Sequence, residues 1–214
     1  MRFILFFLLL VSFSLEGIEN SPATLYFHPR SSCSWRIKLA LDYKGIPYEI
    51  ITTDVREESD EYRQINPMKK VPSLTIDGKT LSQTVAILEY LEETKPEYPP
   101  LLPNAPYERS LVRQIVQIVA SDIQPLQNGG VLRELESAKP WAQYWINRGF
   151  VGLEEMLKDT AGTYAVGDTI TMADVFLLPQ FRNARKYEVN LEPFPTIRKL
   201  EKTLEALDAF HVPL

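Results

Sequence analysis

The stretch Ser31-Ser-Cys-Ser-Trp-Arg-Ile-Lys-Leu-Ala-Leu-Asp-Tyr-Lys44, followed by Gly45-Ile-Pro-Tyr48, decides how this chain is read. A hydroxyl-rich loop with one thiol runs straight into an amphipathic helix. Cys33, Ile37, Ala40 and Leu41 fall on one face at helical spacing, and Gly45 is a helix stop. A helix N-terminus points unpaired N–H groups and a partial positive charge outward. Serines and a cysteine placed there can hold or create an anion, and a thiolate is the natural candidate.

The flanks complete a small α/β layer domain. Thr24-Leu-Tyr-Phe-His28 reads as a strand before the loop and Tyr48-Glu-Ile-Ile-Thr-Thr53 as a strand after the helix. Asp54 to Gln64 is charged and reads as a mobile segment. Ser73-Leu-Thr-Ile76 and Lys79-Thr-Leu81 flank Asp77-Gly78, a strong hairpin signal. Gln83 to Thr94 reads as a second helix. Val71-Pro72 precedes a strand, either as an ordinary turn proline or as a fixed loop with a cis bond. Ser82-Gln83-Thr84 opens the second helix, either as a plain cap or as a grip for a carboxylate.

Lys95 to Pro106 holds Pro96, Pro99, Pro100, Pro103 and Pro106 and is expected to be extended, a boundary between domains. Beyond it the pattern is helical. Leu111, Ile115 and Ile118 share a face, and Trp141, Tyr144, Trp145, Leu153 and Met156 mark a second long helix. Thr171-Met-Ala-Asp174 resembles a capping box with Asp in place of Glu. The expected units are residues 21–103, α/β, and residues 107–214, all-helical.

Residues 1–20 stand apart. Arg2 precedes the run Phe3 to Leu15, shorter than the roughly 20 residues a membrane span takes. It reads as a secretory signal peptide with cleavage near Gly17; a partial membrane anchor and a misassigned start of the coding sequence are the alternatives. The first reading sends the chain into the secretory pathway, the last leaves it cytoplasmic.

Composition narrows the function. Hydrophobic residues make up 45% and charged residues 24%, ordinary for a globular protein. A net charge of -5 without a dense Lys/Arg run argues against a nucleic-acid partner. Cys33 is the single cysteine, so no intrachain disulfide can form. His28 and His211 are isolated and lack metal-ligand spacing, so no metal is expected. A polar loop and two helix N-termini in one small domain suit a small peptide-like anion. The plainer alternatives are a buried apolar Cys33, Ser31 as a simple N-cap, and Trp35 and Arg36 as packing and solvated residues.

Ser31-Ser-Cys-Ser-Trp-Arg36, Asn66-Pro-Met-Lys-Lys-Val-Pro72, Glu89-Tyr-Leu-Glu-Glu-Thr94, Ile123-Gln-Pro-Leu-Gln-Asn128 and Gly167-Asp-Thr-Ile-Thr-Met-Ala-Asp174 together resemble the zeta class of glutathione transferases, which includes maleylacetoacetate isomerase. The match is collinear from about Thr24 to Phe210. It implies a thioredoxin-like α/β N-terminal domain, an all-α C-terminal domain, a homodimer and glutathione at the loop. By the resemblance, Ser31 bonds the glutathione sulfur with Cys33 beside it, and Ser32, Ser34, Trp35 and Arg36 complete the binding motif. Val71 pairs main chain to main chain with the cysteinyl group. Gln83 and Thr84 take the γ-glutamyl end, and Gln124 and Asn128 close the cleft. Arg30 is the choice for a substrate carboxylate, with Lys186 where a substrate-site arginine is expected; the charge survives there but not the bidentate fork. Other departures are a short stretch between Thr53 and Asn66, Gly129-Gly130 in place of a bulkier pair, and a C-terminus ending at Leu214.

The resemblance implies cis–trans isomerisation of maleylacetoacetate-like substrates, a step of tyrosine and phenylalanine catabolism, with transferase activity on α-halo acids. Two other readings are a monothiol oxidoreductase, which lacks a resolving cysteine because position 36 is Arg, and a secreted glutathione-binding protein without catalysis. Thiol activation alone is a small effect. Lowering a pKa of ~8.5 by two units raises the thiolate fraction at pH 7 from about 3% to about 76%, roughly 25-fold. Lost nucleophilicity takes back roughly eightfold at a Brønsted slope of ~0.45, leaving about threefold. Positioning and stabilisation of the enolate and carboxylates must supply most of the rate.

Overall fold

The structure is a computed structural model that describes residues 22–54 and 60–210. The signal-like segment 1–20, residues 55–59 of the charged stretch, and His211 to Leu214 lie outside the described residues.

Four strands form one sheet in the order β2-β1-β3-β4: β1 Ala23–Phe27, β2 Tyr48–Thr52, β3 Ser73–Ile76 and β4 Lys79–Ser82. β1 runs parallel to β2 and antiparallel to β3, and β3 runs antiparallel to β4. Leu25, Phe27, Leu74 and Ile76 are buried on the sheet. The crossover between the parallel pair is helix α1 Ser32–Lys44, as that geometry requires. Its ends follow from its residues: Ser31 caps the start, and Gly45 stops it at φ 70. Asp77 and Gly78 turn the hairpin with φ 52 and 68, a two-residue turn with both φ positive.

The expectation of a mobile segment from Asp54 to Gln64 is corrected: its second half is helix α2, Asp60–Ile65. Tyr62 of α2 tilts against Tyr26 at 5.6 Å between ring centroids, so α2 covers the sheet near the start of β3. Helix α3 spans Thr84–Thr94 and begins one residue later than expected, because Gln83 has φ 70 and lies outside the helix.

The second unit is helical: α4 Pro106–Gln117, continuing as a π-helical segment Ile118–Ile123, then α5 Gly129–Leu132, α6 Ala138–Thr160, α7 Met172–Lys186 and α8 Pro195–Glu205. The second long helix expected around Trp141 to Met156 is α6, and the face expected on α4 is refined. α4 buries Val112, Ile115 and Val116, while Leu111, and Ile118 just past its end, are partly buried against the same core. α6 buries Ala142, Ile146, Phe150, Leu153 and Leu157, leaving Trp141 and Tyr144 exposed. Thr171 and Asp174 form the expected capping box at the start of α7. Glu154 of α6 accepts from the N–H groups of Thr196 (2.8 Å) and Ile197 (3.0 Å), satisfying the start of α8.

The connection between the units is fastened. The buried Glu92 carboxylate of α3 meets Lys44 Nζ at 2.6 Å and accepts from the N–H groups of Leu101 and Leu102. Lys44 Nζ also donates to the Pro99 carbonyl at 2.9 Å, and Met172 N–H donates to the Leu101 carbonyl at 2.8 Å. The prolines keep this segment extended, and these bonds fix its path past α1, α3 and α7.

Candidate functional site

Register brings three segments to one end of the sheet. Tyr26 pairs with Ser73, and Ser73 pairs with Ser82. The loop leaving β1, residues 28–31, therefore lies beside Val71-Pro72, which enters β3, and beside Ser82-Gln83-Thr84, which leaves β4. The Val71-Pro72 peptide is cis.

The loop is built to hold the N-terminus of α1 open. Ser34 N–H donates to Ser31 Oγ at 3.2 Å. That bond uses Ser31 as an acceptor, so its own O–H proton is left to donate. Ser34 itself is fully buried, and His28 N–H donates to its hydroxyl at 3.2 Å. Trp35 is buried, packs edge-on against Phe27 at 5.2 Å, and donates from Nε1 to the Pro29 carbonyl at 2.8 Å. Ser34 and Trp35 thus face inward and hold the loop, in place of the ligand-facing positions expected of them. Ser32 and Cys33 are half-buried in the first turn. Arg30 is exposed, and its backbone N–H donates to His28 Nδ1 at 3.1 Å.

Arg36 departs from the plainer of its two readings. It is not a solvated residue: it is 1% exposed, and its guanidinium lies 4.3 Å from the centroid of Phe176 in α7. This stack joins the two units beside the loop.

Val71 is presented by a clamp on the residue before it. The Lys70 carbonyl accepts from Tyr62 Oη at 2.8 Å and from Asn66 Nδ2 at 2.7 Å. The backbone N–H and C=O of Val71 make no hydrogen bond among the described residues. At α3 the Gln83 side chain is exposed, and neither its amide nor the Thr84 hydroxyl has a partner among the described residues.

From the helical unit, Gln127 and Gln180 pair their amides in the interior at 2.6 and 3.3 Å. This ties the turn containing Gln124 and Asn128 to α7, one turn beyond Phe176. Asn128 Oδ1 caps α5 by accepting from Gly130 N–H at 2.9 Å, so that oxygen is occupied. Gly129 and Gly130 form the first turn of that short helix. Lys186 is exposed on the last turn of α7, 5.3 Å from the Tyr187 ring centroid. It stands about 15 Å along the helix axis from Phe176, and no contact joins it to the loop.

The Lys70 clamp and the Gln127–Gln180 pair were missed by sequence reasoning. Gln180, polar within the apolar run of α7, carried the one usable signal: such a residue needs a partner.

The chain matches two family models, the glutathione S-transferase N-terminal domain over residues 21–93 and the glutathione S-transferase C-terminal domain over residues 131–210. The chain belongs to the glutathione S-transferase family. Within it, this transferase joins the zeta-class maleylacetoacetate isomerase group. It is 51% identical over 202 residues to maleylacetoacetate isomerase of Rattus norvegicus, covering 91% of this chain and 93% of that one. It is 50% identical to probable maleylacetoacetate isomerase 1 of Drosophila melanogaster, covering 87% and 78%. The fold of this transferase superposes on a solved bacterial zeta-class maleyl pyruvate isomerase with a TM-score of 0.83 at 37% identity, covering 87% and 94%. It also matches a maleylacetoacetate isomerase from Anaeromyxobacter dehalogenans 2CP-1, solved with glutathione in its active site, with a TM-score of 0.80 at 40% identity, covering 88% and 93%.

Proposed function

We propose that this chain is a glutathione-dependent cis–trans isomerase that converts maleylacetoacetate to fumarylacetoacetate, with accompanying transferase activity. The observation that carries this reading is the alignment at one sheet end of a Ser31 hydroxyl with its proton left to donate, a Val71 backbone unpaired among the described residues and the uncapped N-terminus of α3.

Glutathione fits that set of groups. It is a peptide with a thiol in its middle and a free carboxylate at each end. Ser31 offers an O–H donor to the sulfur, and Val71 offers one N–H and one C=O to the peptide beside it. Gln83, Thr84 and the free amides of α3 suit the γ-glutamyl carboxylate. Gln124 and the Asn128 amide nitrogen are in this reading the contacts from the helical unit.

When bound, glutathione supplies a thiolate whose reversible addition to the double bond leaves a single bond free to rotate, and no thiol is consumed. The chain's own residues hold charge and exclude alternatives. Ser31 steadies the anionic sulfur by a charge-assisted bond. Arg30, exposed at the lip, pairs with a substrate carboxylate and keeps the alkene carbon against the sulfur. Cys33 sits beside the sulfur in the same turn. Lys186 is assigned a long-range electrostatic part only, since α7 carries it away from the loop.

Production of fumarylacetoacetate from the cis isomer with substoichiometric glutathione tests the reading. Absence of turnover in a folded, glutathione-binding chain refutes the isomerase. A homodimer is part of the proposal, and sedimentation equilibrium reads it directly. N-terminal sequencing of the native protein distinguishes use of residues 1–20 as a signal from a cytoplasmic enzyme that retains them.

A further inference from the structure

Arg36 is the group in this site whose placement the fold does not explain. It is 1% exposed, and its Nε and Nη2 are buried without a hydrogen-bond partner among the described residues. A guanidinium stays charged in a protein. Burying one without an anion is costly, and a long apolar side chain in its place is often neutral or stabilising. The Phe176 face at 4.3 Å offsets only part of that cost.

Three carboxylates on α1 and on the helices packed against it are committed elsewhere. Asp42 of α1 binds Lys38 and Tyr48, Asp174 of α7 binds Thr171 and Ala165 N–H, and Glu92 of α3 binds Lys44. Cys33 lies one turn earlier at the mouth of α1; burial pushes the Arg36 pKa down and the charge of Cys33 pulls it up. An open helix N-terminus and a buried unpaired cation therefore share one turn.

We propose that Arg36 is the fixed counter-charge of the sulfur site, holding the bound glutathione thiol as its thiolate from beneath the loop. This rests on the reading of the loop as the glutathione site and assigns a separate job within it. Its burial keeps Arg36 from a substrate carboxylate, which leaves that task to Arg30. Its field acts through low-dielectric protein, where charge interactions are strong.

The test uses Cys33→Ala protein, so that thiolate absorbance near 240 nm comes from glutathione alone. Glutathione-loaded Cys33→Ala is titrated from pH 5 to 9 beside the same protein carrying Arg36→Met, Arg36→Gln or Arg36→Lys. The expected result is a bound-thiol pKa at least one unit higher in the Met and Gln variants, tenfold less thiolate on the acid side, with most of the shift reversed in Lys. Thermal unfolding without glutathione supplies the second readout: Arg36→Met should melt at the same temperature or higher. A merely structural Arg36 would give a lower melting temperature and an unchanged thiol pKa, which overturns the proposal. If Met does not fold, Gln carries the comparison. Calorimetry on the unsubstituted chain keeps the two claims apart. Failure to bind glutathione there removes the site and this role with it; binding with an unmoved thiol pKa removes this role alone.

Discussion

Replacing Glu92 by Gln should cost this protein more stability than any comparably conservative change near the surface. The carboxylate is 8% exposed and serves three partners at once: Lys44 Nζ at 2.6 Å, Leu101 N–H at 3.0 Å and Leu102 N–H at 3.1 Å. The Lys44 side chain is 1% exposed. Gln keeps the volume and one acceptor oxygen. It presents an NH2 group where an acceptor stood and leaves the ammonium with only the Pro99 carbonyl. Stranding one member of a buried pair costs about 3–5 kcal/mol. At about 2–4 °C per kcal/mol for a chain of this size, the melting temperature should fall by about 10 °C.

Lys44→Met removes the other charge and leaves Glu92 with its two amide donors, so it should cost about 1–3 kcal/mol. The double variant should recover about 2 kcal/mol relative to the sum of the singles, because neither charge is then stranded. Urea unfolding followed by tryptophan fluorescence measures all three, since Trp35 lies in the α/β unit and Trp141 and Trp145 in the helical one. A Glu92→Gln cost below about 0.5 kcal/mol, or strict additivity in the double, would refute the argument that a desolvated charge, rather than packing, holds this joint.

Asp174 should make stability depend on pH. Burial raises its pKa to about 6, above the usual ~3.9 of an unfolded chain. The folded state thus binds the proton more tightly; the stabilisation is fully present below pH ~4 and is lost as pH rises through about 6. The stability difference between the parent and Asp174→Asn should be wider at pH 5 than at pH 7.5 by about 1–2 kcal/mol, and an invariant difference in urea titrations would contradict this. Ser31→Ala should lose both the cap, about 1 kcal/mol, and the outward hydroxyl. Ser31→Gly should keep most of the cap energy and lose the hydroxyl, so equal turnover in Gly and parent would remove Ser31 from the chemistry. Gly149→Ala should cost about 1–3 kcal/mol, because a Cβ there would lie 2.3 Å from the buried Ile123 side chain; an unchanged unfolding midpoint would show that Ile123 can give way.

Local signals carried most of the α/β unit. Ser31 and Gly45 set the ends of α1, Asp77-Gly78 set the hairpin, and Thr171 with Asp174 set the start of α7, since each acts within a few residues of itself. Which side chains of α4 and α6 are fully buried was not legible. Trp141 and Tyr144 outweigh Ala142 and Ile146 in any count of apolar residues, yet the smaller pair faces the core; Trp141 instead spends its indole N–H on the Leu126 carbonyl at 2.9 Å. The burial of Arg36 and the identity of the partner that Gln180 needs were illegible for a related reason. Both depend on what the fold places opposite these residues, which no pattern within α1 or α7 alone reveals.

The two ends of α1 carry opposite loads. At its C-terminus Lys44 is paired, desolvated and tied to the linker, an arrangement that makes sense only as stabilisation. At its N-terminus the hydroxyl of Ser31 caps the helix with its proton left to donate, and Arg36 is buried without an acceptor among the described residues. About 12 Å of helix separates Lys44 from Arg36, and α7 packs along the same helix. On the reading proposed for Arg36, the satisfied cation at the C-terminus offsets the cost of the unsatisfied one near the N-terminus. The helix that the sequence announced first is the element through which the stability of the joint holds the site in a conformation it would not adopt for stability alone.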